Sequence, residues 1–266
     1  ATGIALFPTL QKAQATDTSH VIPQQSHRIE VVFVLDTTSS MSGLIQAAKE
    51  KIWSIATTMA SAQENPDIRM GLVAFRDRGD AYIPRVVDLS DDLDSMYASL
   101  MDFRAQGGGD GPESVNQALY DAIHKISWSN DSNVYKVAFL VGDAPPHMDY
   151  NEVQYPATIA AANEKGIVIN TIQSGDIPST VVPWTTLASL GNGSFFSVDQ
   201  AGGAVAYASP FDNEIADLSA KLDDTRLFYG SEEERDRMKD KVAAAEKFAQ
   251  AASVGAMARR GVFNSS

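Results

Sequence analysis

The fold is decided by residues 31–43, whose sequence is VVFVLDTTSSMSG. A run of branched apolar residues ends abruptly at Asp36, and small hydroxyl residues follow it. Such a near-continuous apolar run is typical of a strand that is covered on both faces. We therefore expect a buried strand from about Glu30 to Leu35, with a lone carboxylate at its carboxyl end.

The same alternation of patterns continues along the chain. Apolar residues at helical spacing, for example in the segment 41–61, separate further apolar runs of strand length. Strands that alternate with helices predict a doubly wound, Rossmann-like α/β sheet, with right-handed crossovers and helices on both faces. The further runs lie at residues 68–75, 134–143, 167–172 and 194–198.

One pair of strands is expected to break the parallel pattern. The apolar segment 83–89 follows 68–75 after a link that is too short for a parallel crossover. These two strands should therefore pair antiparallel, and Pro84 suits an edge strand, where a missing N–H is tolerated. The expected sheet has six strands and is mostly parallel, with one antiparallel edge strand.

The pattern changes towards the C-terminus, beyond about Asp223. Ser231 and Glu234 form a capping box, and a helix rich in alanine and charge is predicted to run to about Arg260. We expect three parts: an N-terminal tail (1–28), an α/β domain (29–222) and a C-terminal helical extension (223–266).

Composition excludes several classes of function. The chain has 266 residues, with 34 acidic and 21 basic side chains and a formal net charge of −13. A field of that sign repels phosphate groups, which argues against nucleic acid and anionic membrane surfaces as partners. The chain has no cysteine, which excludes disulfides, cysteine–zinc sites and thiol catalysis. No apolar run reaches the roughly 18 residues of a membrane span.

The first residues carry a pattern that is typical of export. A short apolar segment precedes Ala13-Gln14-Ala15, a small-x-small arrangement like that of a signal-peptide cleavage site. This interpretation predicts an extracytoplasmic protein, periplasmic or secreted, from a bacterial cell. The alternative is an N-terminal arm that packs a few apolar residues on the domain.

Carboxylates and hydroxyls are predicted to converge at the carboxyl edge of the sheet, where open α/β folds bind ligands. Thr38 and Ser40 follow Asp36 at alternate positions, which point the same way in an extended loop. Asp143 ends a second strand, and Asp110 lies in a glycine-rich loop before a helix. Converging carboxylates repel one another unless a cation joins them. These hard oxygen donors favour Mg²⁺, with Mn²⁺ and Ca²⁺ as alternatives.

Three motifs together resemble the von Willebrand factor A domains that carry a metal-ion-dependent adhesion site. The segment 36–40, DTTSS, is similar to the family's D-x-S/T-x-S motif, and Asp143 in VGDAPPH matches the aspartate at the end of the fourth strand. The loop GGGDGPE offers Asp110 where threonine is usual. The GGGDGPE and GDAPPH pieces are similar to a subgroup found in bacterial A-domain proteins and beside some atypical kinase domains. The resemblance covers residues 29–222.

The resemblance implies a non-catalytic, adhesion-type module that binds a protein partner. In the family the ion lies on the top surface of the domain, one coordination position is left for a carboxylate of the partner, and helix movement often accompanies binding. The partner here is an unidentified protein. The resemblance implies that the ion is held, directly or through water, by Asp36, Thr38, Ser40, Asp110 and Asp143.

Asp110 is where this chain departs from the usual family pattern. Three aspartates around a divalent cation leave the site at −1, whereas two would leave it neutral. Our hypothesis is that the extra charge binds the cation more firmly and attracts an acidic ligand less strongly, or that the metal is partly structural.

Plainer interpretations of single residues stay open at this point. Asp36 suits a helix N-cap, as do its serine neighbours, and Asp110 suits the geometry of a turn. Glu113 is expected to be a first-turn charge favoured by the helix dipole rather than a ligand. His147 is expected to make a local hydrogen bond. The RGD tripeptide at 78–80 is interpreted as a chance match in a hairpin loop.

Two rival functions are weighed against metal-dependent binding. A Mg²⁺-dependent phosphoaspartate phosphatase of the haloacid-dehalogenase type also has an aspartate after its first strand, but it needs a second aspartate where this chain has Thr38. A scaffold subunit would keep a structural metal and use the C-terminal helix for its interaction. The chain has neither a nucleotide-binding glycine motif nor the elbow of a serine hydrolase.

Overall fold

The computed structural model describes residues 28–60, 67–109, 111–198, 210–225 and 230–265. Within these ranges strands and helices alternate, as predicted. The strands are β1 (Ile29–Asp36), β2 (Ile68–Phe75), β3 (Pro84–Ser90), β4 (Tyr135–Gly142), β5 (Ile167–Ser174) and β6 (Asn192–Val198). The helices are α1 (Ile45–Ala60), α2 (Leu93–Asp102), α3 (Val115–His124), α4 (Tyr155–Glu164), α5 (Pro178–Leu190), α6 (Asp212–Asp224), α7 (Glu232–Ala251) and α8 (Val254–Ser265).

The described strands form one six-stranded sheet in the order β3-β2-β1-β4-β5-β6. β1 pairs parallel with both β2 and β4, and β5 pairs parallel with β4 and β6. β3 pairs antiparallel with β2 at the edge, where Pro84 lies opposite Phe75. The predicted fold, a mostly parallel doubly wound sheet with one antiparallel edge strand, is confirmed.

Different helices cover the two faces of the sheet, because successive side chains of a strand point to opposite faces. On β1, Phe33 and Leu35 pack in a cluster with residues of α1 and α2. Val32 and Val34 pack in a second cluster with residues of α3, α4 and α5. Burying one such side chain stabilises the fold by roughly 1.5–3 kcal/mol. Asp36 therefore sits at the end of a strand that is held from both sides.

The C-terminal extension is two helices, and the prediction of one continuous helix to about residue 260 was wrong. α7 ends at Ala251, Ala252 is extended, and α8 starts at Val254. The predicted capping box is present: Ser231 N–H donates to Glu234 Oε2 at 2.7 Å, and Glu234 N–H donates to Ser231 Oγ at 3.3 Å.

These two helices pack on the α1–α2 face of the sheet. Phe248 of α7 is fully buried, with ring centroids 5.5 Å from Trp53 of α1 and 4.1 Å from Tyr97 of α2. Ala256 and Met257 of α8 join the same apolar cluster. The helices thus complete the apolar layer on this face, while the boundary at residue 223 stays a prediction.

The predicted cleavage pattern at residues 13–15 lies outside the described residues, as does nearly all of the predicted tail. No helix in the described part of the chain is both long enough and apolar enough to cross a bilayer.

Candidate metal centre

Asp36 is fully buried at the carboxyl end of β1, as predicted. Its Oδ1 accepts hydrogen bonds from the Thr38 N–H at 2.9 Å and from Thr38 Oγ1 at 2.7 Å. Its Oδ2 is buried and has no hydrogen-bond partner among the described residues. Thr38 itself occupies the N-cap of a short 3-10 helix (Ser39–Gly43) and makes no side-chain cap bond. Asp36 therefore orients Thr38 rather than capping a helix.

A continuous chain of side-chain oxygens joins the ends of β1 and β4. Thr38 Oγ1 lies 3.0 Å from Ser40 Oγ, and Ser40 Oγ donates to Asp143 Oδ1 at 2.9 Å. With the bond from Thr38 to Asp36, this chain contains three oxygen–oxygen contacts. The structure thus brings together four of the five predicted site residues, and Asp110 lies outside the described residues.

The three contacts outnumber the protons available to make them. Each hydroxyl carries one proton, and both protons are donated to carboxylates when Thr38 donates to Asp36 and Ser40 donates to Asp143. The contact between the two hydroxyl oxygens then has no proton, unless a carboxyl group supplies one. The cluster is therefore rich in lone pairs and short of positive charge.

Neighbouring elements hold the Asp143 end of this cluster in place. Thr180 Oγ1 of α5 donates to the Asp143 carbonyl at 2.6 Å, and Trp184 Nε1 donates to the Ala144 carbonyl at 3.0 Å. Gly142 permits the close approach of the two strands, because a Cβ there would lie only 2.7 Å from Asp36 Cβ. A side chain at residue 142 would therefore displace the Asp36 carboxylate.

Glu113 lies closer to these residues than the sequence analysis expected. Its side chain is buried and leaves Oε2 without a partner among the described residues. Gly108, at a φ of +77°, makes room for it, because a Cβ there would lie 3.1 Å from Glu113 Oε1. The expectation that Glu113 is only a charge near a helix terminus therefore does not describe its surroundings. Its position three residues after the predicted ligand Asp110, in the same loop, was the sequence feature that could have indicated this location.

The backbone explains why Glu113 points inward. Its N–H donates to the Pro145 carbonyl at 2.9 Å, and its carbonyl accepts from the His147 N–H at 3.0 Å. These two bonds fasten the loop before α3 to the loop after Asp143 in a short parallel bridge. The GGGDGPE and GDAPPH motifs thus form one backbone unit at the edge of the sheet.

The carboxyl groups of the site lack a compensating cation. Burial raises the pKa of Asp36 to about 7, although hydrogen bonds from Thr38 act in the opposite direction. Burial, with the nearby Asp36 and Asp77 carboxylates, raises the pKa of Glu113 to about 9. Burial also raises the pKa of Asp143. Among the described residues, no basic side chain forms an ion pair with Asp36, Glu113 or Asp143.

The donor set fits a hard divalent cation. Carboxylate and hydroxyl oxygens are the ligands that Mg²⁺ and Ca²⁺ prefer, and Mg²⁺ usually keeps several waters as well. Within the described ranges no group of three or more His, Cys, Asp or Glu side chains is placed to hold a metal ion. A site here would therefore depend on the hydroxyls of Thr38 and Ser40 as much as on the carboxylates.

His147 and the RGD segment are occupied by packing. His147 stacks on Tyr150 with ring centroids 3.9 Å apart, and its Nδ1 lies 2.8 Å from Asp149 Oδ1. Arg78 lies over the same Tyr150 ring, 3.9 Å from the centroid, and Asp80 accepts a hydrogen bond from the Gly108 N–H at 2.8 Å. Both charged side chains of the tripeptide are thus engaged within the molecule.

Comparison with known proteins agrees with this fold. The alpha-protein kinase vwkA of Dictyostelium discoideum is 27% identical over 124 residues, which are 46% of this chain and 19% of that protein. A structure of proximal thread matrix protein 1 from the mussel byssus, with a zinc-occupied MIDAS motif, aligns with a TM-score of 0.52 at 18% identity. That alignment covers 66% of this chain and 43% of the other, so this chain spans less than half of either relative.

The family itself is shown by a match over most of the chain. The family model described as von Willebrand factor A domain matches residues 30–201, which contain the sheet apart from Ile29 and every predicted site residue. The chain belongs to the von Willebrand factor A domain family.

Proposed function

We propose that this domain binds a protein partner through a divalent cation and catalyses no reaction. The observation that carries the proposal is the shortage of protons in the oxygen chain when its carboxyl groups are ionised, where two hydroxyl protons serve three contacts and Asp36 Oδ2 has no described partner. A cation would supply the missing positive charge. Mg²⁺ is the proposed ion because all the donors are hard oxygens, with Mn²⁺ and Ca²⁺ as alternatives. Its ligands would be Asp36, Thr38, Ser40 and Asp143.

The residues would share the work of binding. Asp36 and Asp143 contribute negative charge, while Thr38 and Ser40 keep lone pairs after donating their protons to these carboxylates. A bound ion would supply a Lewis-acidic position that a carboxylate of the partner could occupy in place of water. The GGGDGPE and GDAPPH loops, which the Glu113 bridge joins, would form the surface around it.

One further carboxylate completes the proposed site. Glu113, whose buried Oε2 has no partner among the described residues, is proposed to lie beside the ligands rather than among them. Asp110 is proposed as a ligand on the sequence alone. With Asp36 and Asp143 it gives three negative charges against two positive charges of the ion, a surplus of −1. This surplus supports the hypothesis that the ion is held firmly and that an acidic ligand is attracted less than it would be with threonine at position 110.

Titration calorimetry of EDTA-stripped protein with Mg²⁺, Mn²⁺ and Ca²⁺ tests the proposal. We expect saturable binding by the wild type, stabilisation of about 2.7 kcal/mol at a hundredfold excess over Kd, and loss of both in Asp36→Asn. Asp236→Asn, which removes an exposed aspartate of α7, is the matched control and should bind like the wild type. Asp110→Thr should lower the affinity for Mg²⁺. Absence of saturable binding in the wild type would overturn the proposal.

The scaffold alternative makes a different prediction for the partner. It would place the interaction on α7 and α8, whose apolar residues Phe248 and Met257 are already buried against the domain. Partner binding would then survive treatment with EDTA, whereas the proposed mode would lose it. Export from the cytoplasm is also kept as a proposal, supported only by the Ala13-Gln14-Ala15 pattern.

A further inference from the structure

Thr37, which lies between two proposed ligands, is held at every polar atom. Its N–H and its Oγ1 both donate to the Phe75 carbonyl, at 2.9 and 2.8 Å. The same Oγ1 lies 2.8 Å from the hydroxyl of Tyr82. Its carbonyl accepts from the Gln106 N–H at 3.0 Å and from Arg76 Nε at 3.2 Å. The turn from Asp36 to Thr38 is therefore fixed from its middle residue.

Arg76 is the side chain that connects this turn to residues 104–107, which lead into the glycine-rich loop and are called the glycine-rich segment below. Its guanidinium donates through Nε to the Thr37 carbonyl and through Nη2 to the Arg104 carbonyl, the latter at 2.9 Å, and it lies 4.4 Å from the Tyr82 ring centroid. Downstream of Arg104, the Gly107 carbonyl accepts from the Ser39 N–H at 3.0 Å. One planar fork thus spans two backbone segments that meet at the proposed metal site.

Burial of the Arg76 guanidinium costs free energy that its contacts must offset. The residue is only 6% exposed, and no carboxylate of the described residues forms an ion pair with it. A buried charge without a partner of opposite sign is strongly unfavourable, and its hydrogen bonds to carbonyls and its contact with the Tyr82 ring offset that cost. The flat guanidinium bonds the two carbonyls through two different nitrogens, Nε and Nη2, in a fixed geometry that a lysine does not have.

We infer that Arg76 is a positioning residue of the metal centre, which holds the Asp36–Thr38 turn and the glycine-rich segment at a fixed separation. The inference rests on the proposed function, since it concerns the same site. It identifies a residue that does not touch the ion and whose charge has the wrong sign to attract it. The site would therefore need the Arg76 guanidinium to position its ligands as well as the divalent ion that the ligands bind.

Charge and position predict opposite effects when Arg76 is replaced. Arg76→Met removes a positive charge close to the proposed site, which by electrostatics alone would tighten binding of a divalent cation. Loss of positioning would weaken it, and groups that orient metal ligands typically contribute about 10–100-fold to affinity. Arg76→Lys keeps the charge but loses the fork, so a pure charge effect leaves affinity unchanged while a positioning effect again lowers it.

The experiment is titration of EDTA-stripped protein with Mg²⁺ for the wild type and both variants, with folding checked by circular dichroism. We expect both variants to bind about tenfold or more weakly. Arg69→Met, at the other end of β2, controls for loss of one charge and should keep wild-type affinity.

Other results of this titration would overturn either the inference or the proposed function. Unchanged or tighter binding by Arg76→Met would overturn the inference, and so would wild-type affinity in Arg76→Lys, which also serves where Arg76→Met does not fold. A wild type that binds no Mg²⁺ would overturn the proposed function itself, and with it this role of Arg76.

Discussion

Two acidic clusters of this molecule are compensated in opposite ways. Under the C-terminal helices, the Arg260 guanidinium is 1% exposed and bonds Asp94 of α2 at 2.6 and 2.7 Å and Asp223 of α6 at 2.6 and 3.1 Å. At the carboxyl edge of the sheet, the donors to Asp36 and Asp143 among the described residues are hydroxyl and backbone groups. The first cluster carries its cation within the chain, whereas the second would take its cation from solution under the proposed function.

The direction of the pKa shifts expresses the same difference. Burial opposes the charge on Arg260, but hydrogen bonds to Asp94 and Asp223 outweigh it and raise its pKa further. At the other cluster burial dominates and raises the pKa of Asp36 and Asp143, so that their charged forms are disfavoured. The ion pairs of Arg260 stabilise the fold. At the other cluster, packing of the surrounding elements keeps carboxyl groups close together without a neutralising partner, and perturbed groups of this kind are common at binding sites.

The largest expected effect comes from breaking the satisfied cluster. Arg260→Met leaves Asp94 and Asp223 largely buried without their cation, and loss of one partner from a buried ion pair costs about 3–5 kcal/mol. Urea denaturation of the wild type and the variant measures the difference in free energy of unfolding. Arg237→Met on the exposed side of α7 should change it by no more than about 0.5 kcal/mol. A loss below about 1 kcal/mol for Arg260→Met would show that the two clusters do not differ as described.

A smaller effect for each pH unit is expected from titration of the unsatisfied cluster. Asp36 and Glu113 have folded pKa values of about 7 and about 9, above the roughly 3.9 and 4.3 of an unfolded chain. The metal-free folded state therefore holds protons that the unfolded state has released. Its stability is full below about pH 4 and falls as pH rises, by about 1.4 kcal/mol per pH unit for each such group.

Urea denaturation of EDTA-treated protein between pH 5 and 8 measures this slope. The window ends at pH 8 because burial lowers the pKa of Lys49 to about 8. Above that pH the unfolded chain keeps a proton that folded Lys49 has released, so this group makes stability rise with pH. Glu113→Gln should flatten the slope, and saturating Mg²⁺ should remove most of it. Stability that rises with pH in the metal-free protein would contradict the unsatisfied state of the cluster.

The sequence allowed the frame of the candidate site to be predicted, because the frame depends on local patterns. Apolar runs that stop at Asp36 and Asp143 place both residues at one edge of any parallel sheet. The short link before β3 likewise forced the antiparallel pair that the structure contains. The spacing of the 36–40 motif also brought the two hydroxyls to this edge, although Ser40 lies in a 3-10 helix (Ser39–Gly43) and not in the extended loop that was expected.

What could not be predicted depends on contacts between distant segments. Glu113 points inward because its backbone pairs with the loop around Pro146, and no local pattern encodes that bridge. The break between α7 and α8 falls in a stretch whose alanine-rich pattern continues, and it lets Phe248 of α7 and Arg260 of α8 both contact α2, through Tyr97 and Asp94. Tertiary packing rather than helix propensity decides such a break.

The smallest expected effect comes from a third pair, which is open to water. Arg28 Nε lies 2.7 Å from Asp67 Oδ2, with the two side chains 43% and 33% exposed. Exposed pairs contribute about 0.2–1 kcal/mol, so Arg28→Gln should destabilise by no more than that. Salt separates this pair from the buried one: at 1 M ionic strength, where the Debye length is about 3 Å, the effect of Arg28→Gln should vanish while that of Arg260→Met persists. Urea denaturation at low and high NaCl measures the effects of both substitutions. If the effect of Arg260→Met depended on salt, water would reach the Arg260 cluster. Burial would then not be what distinguishes that cluster from the proposed metal site.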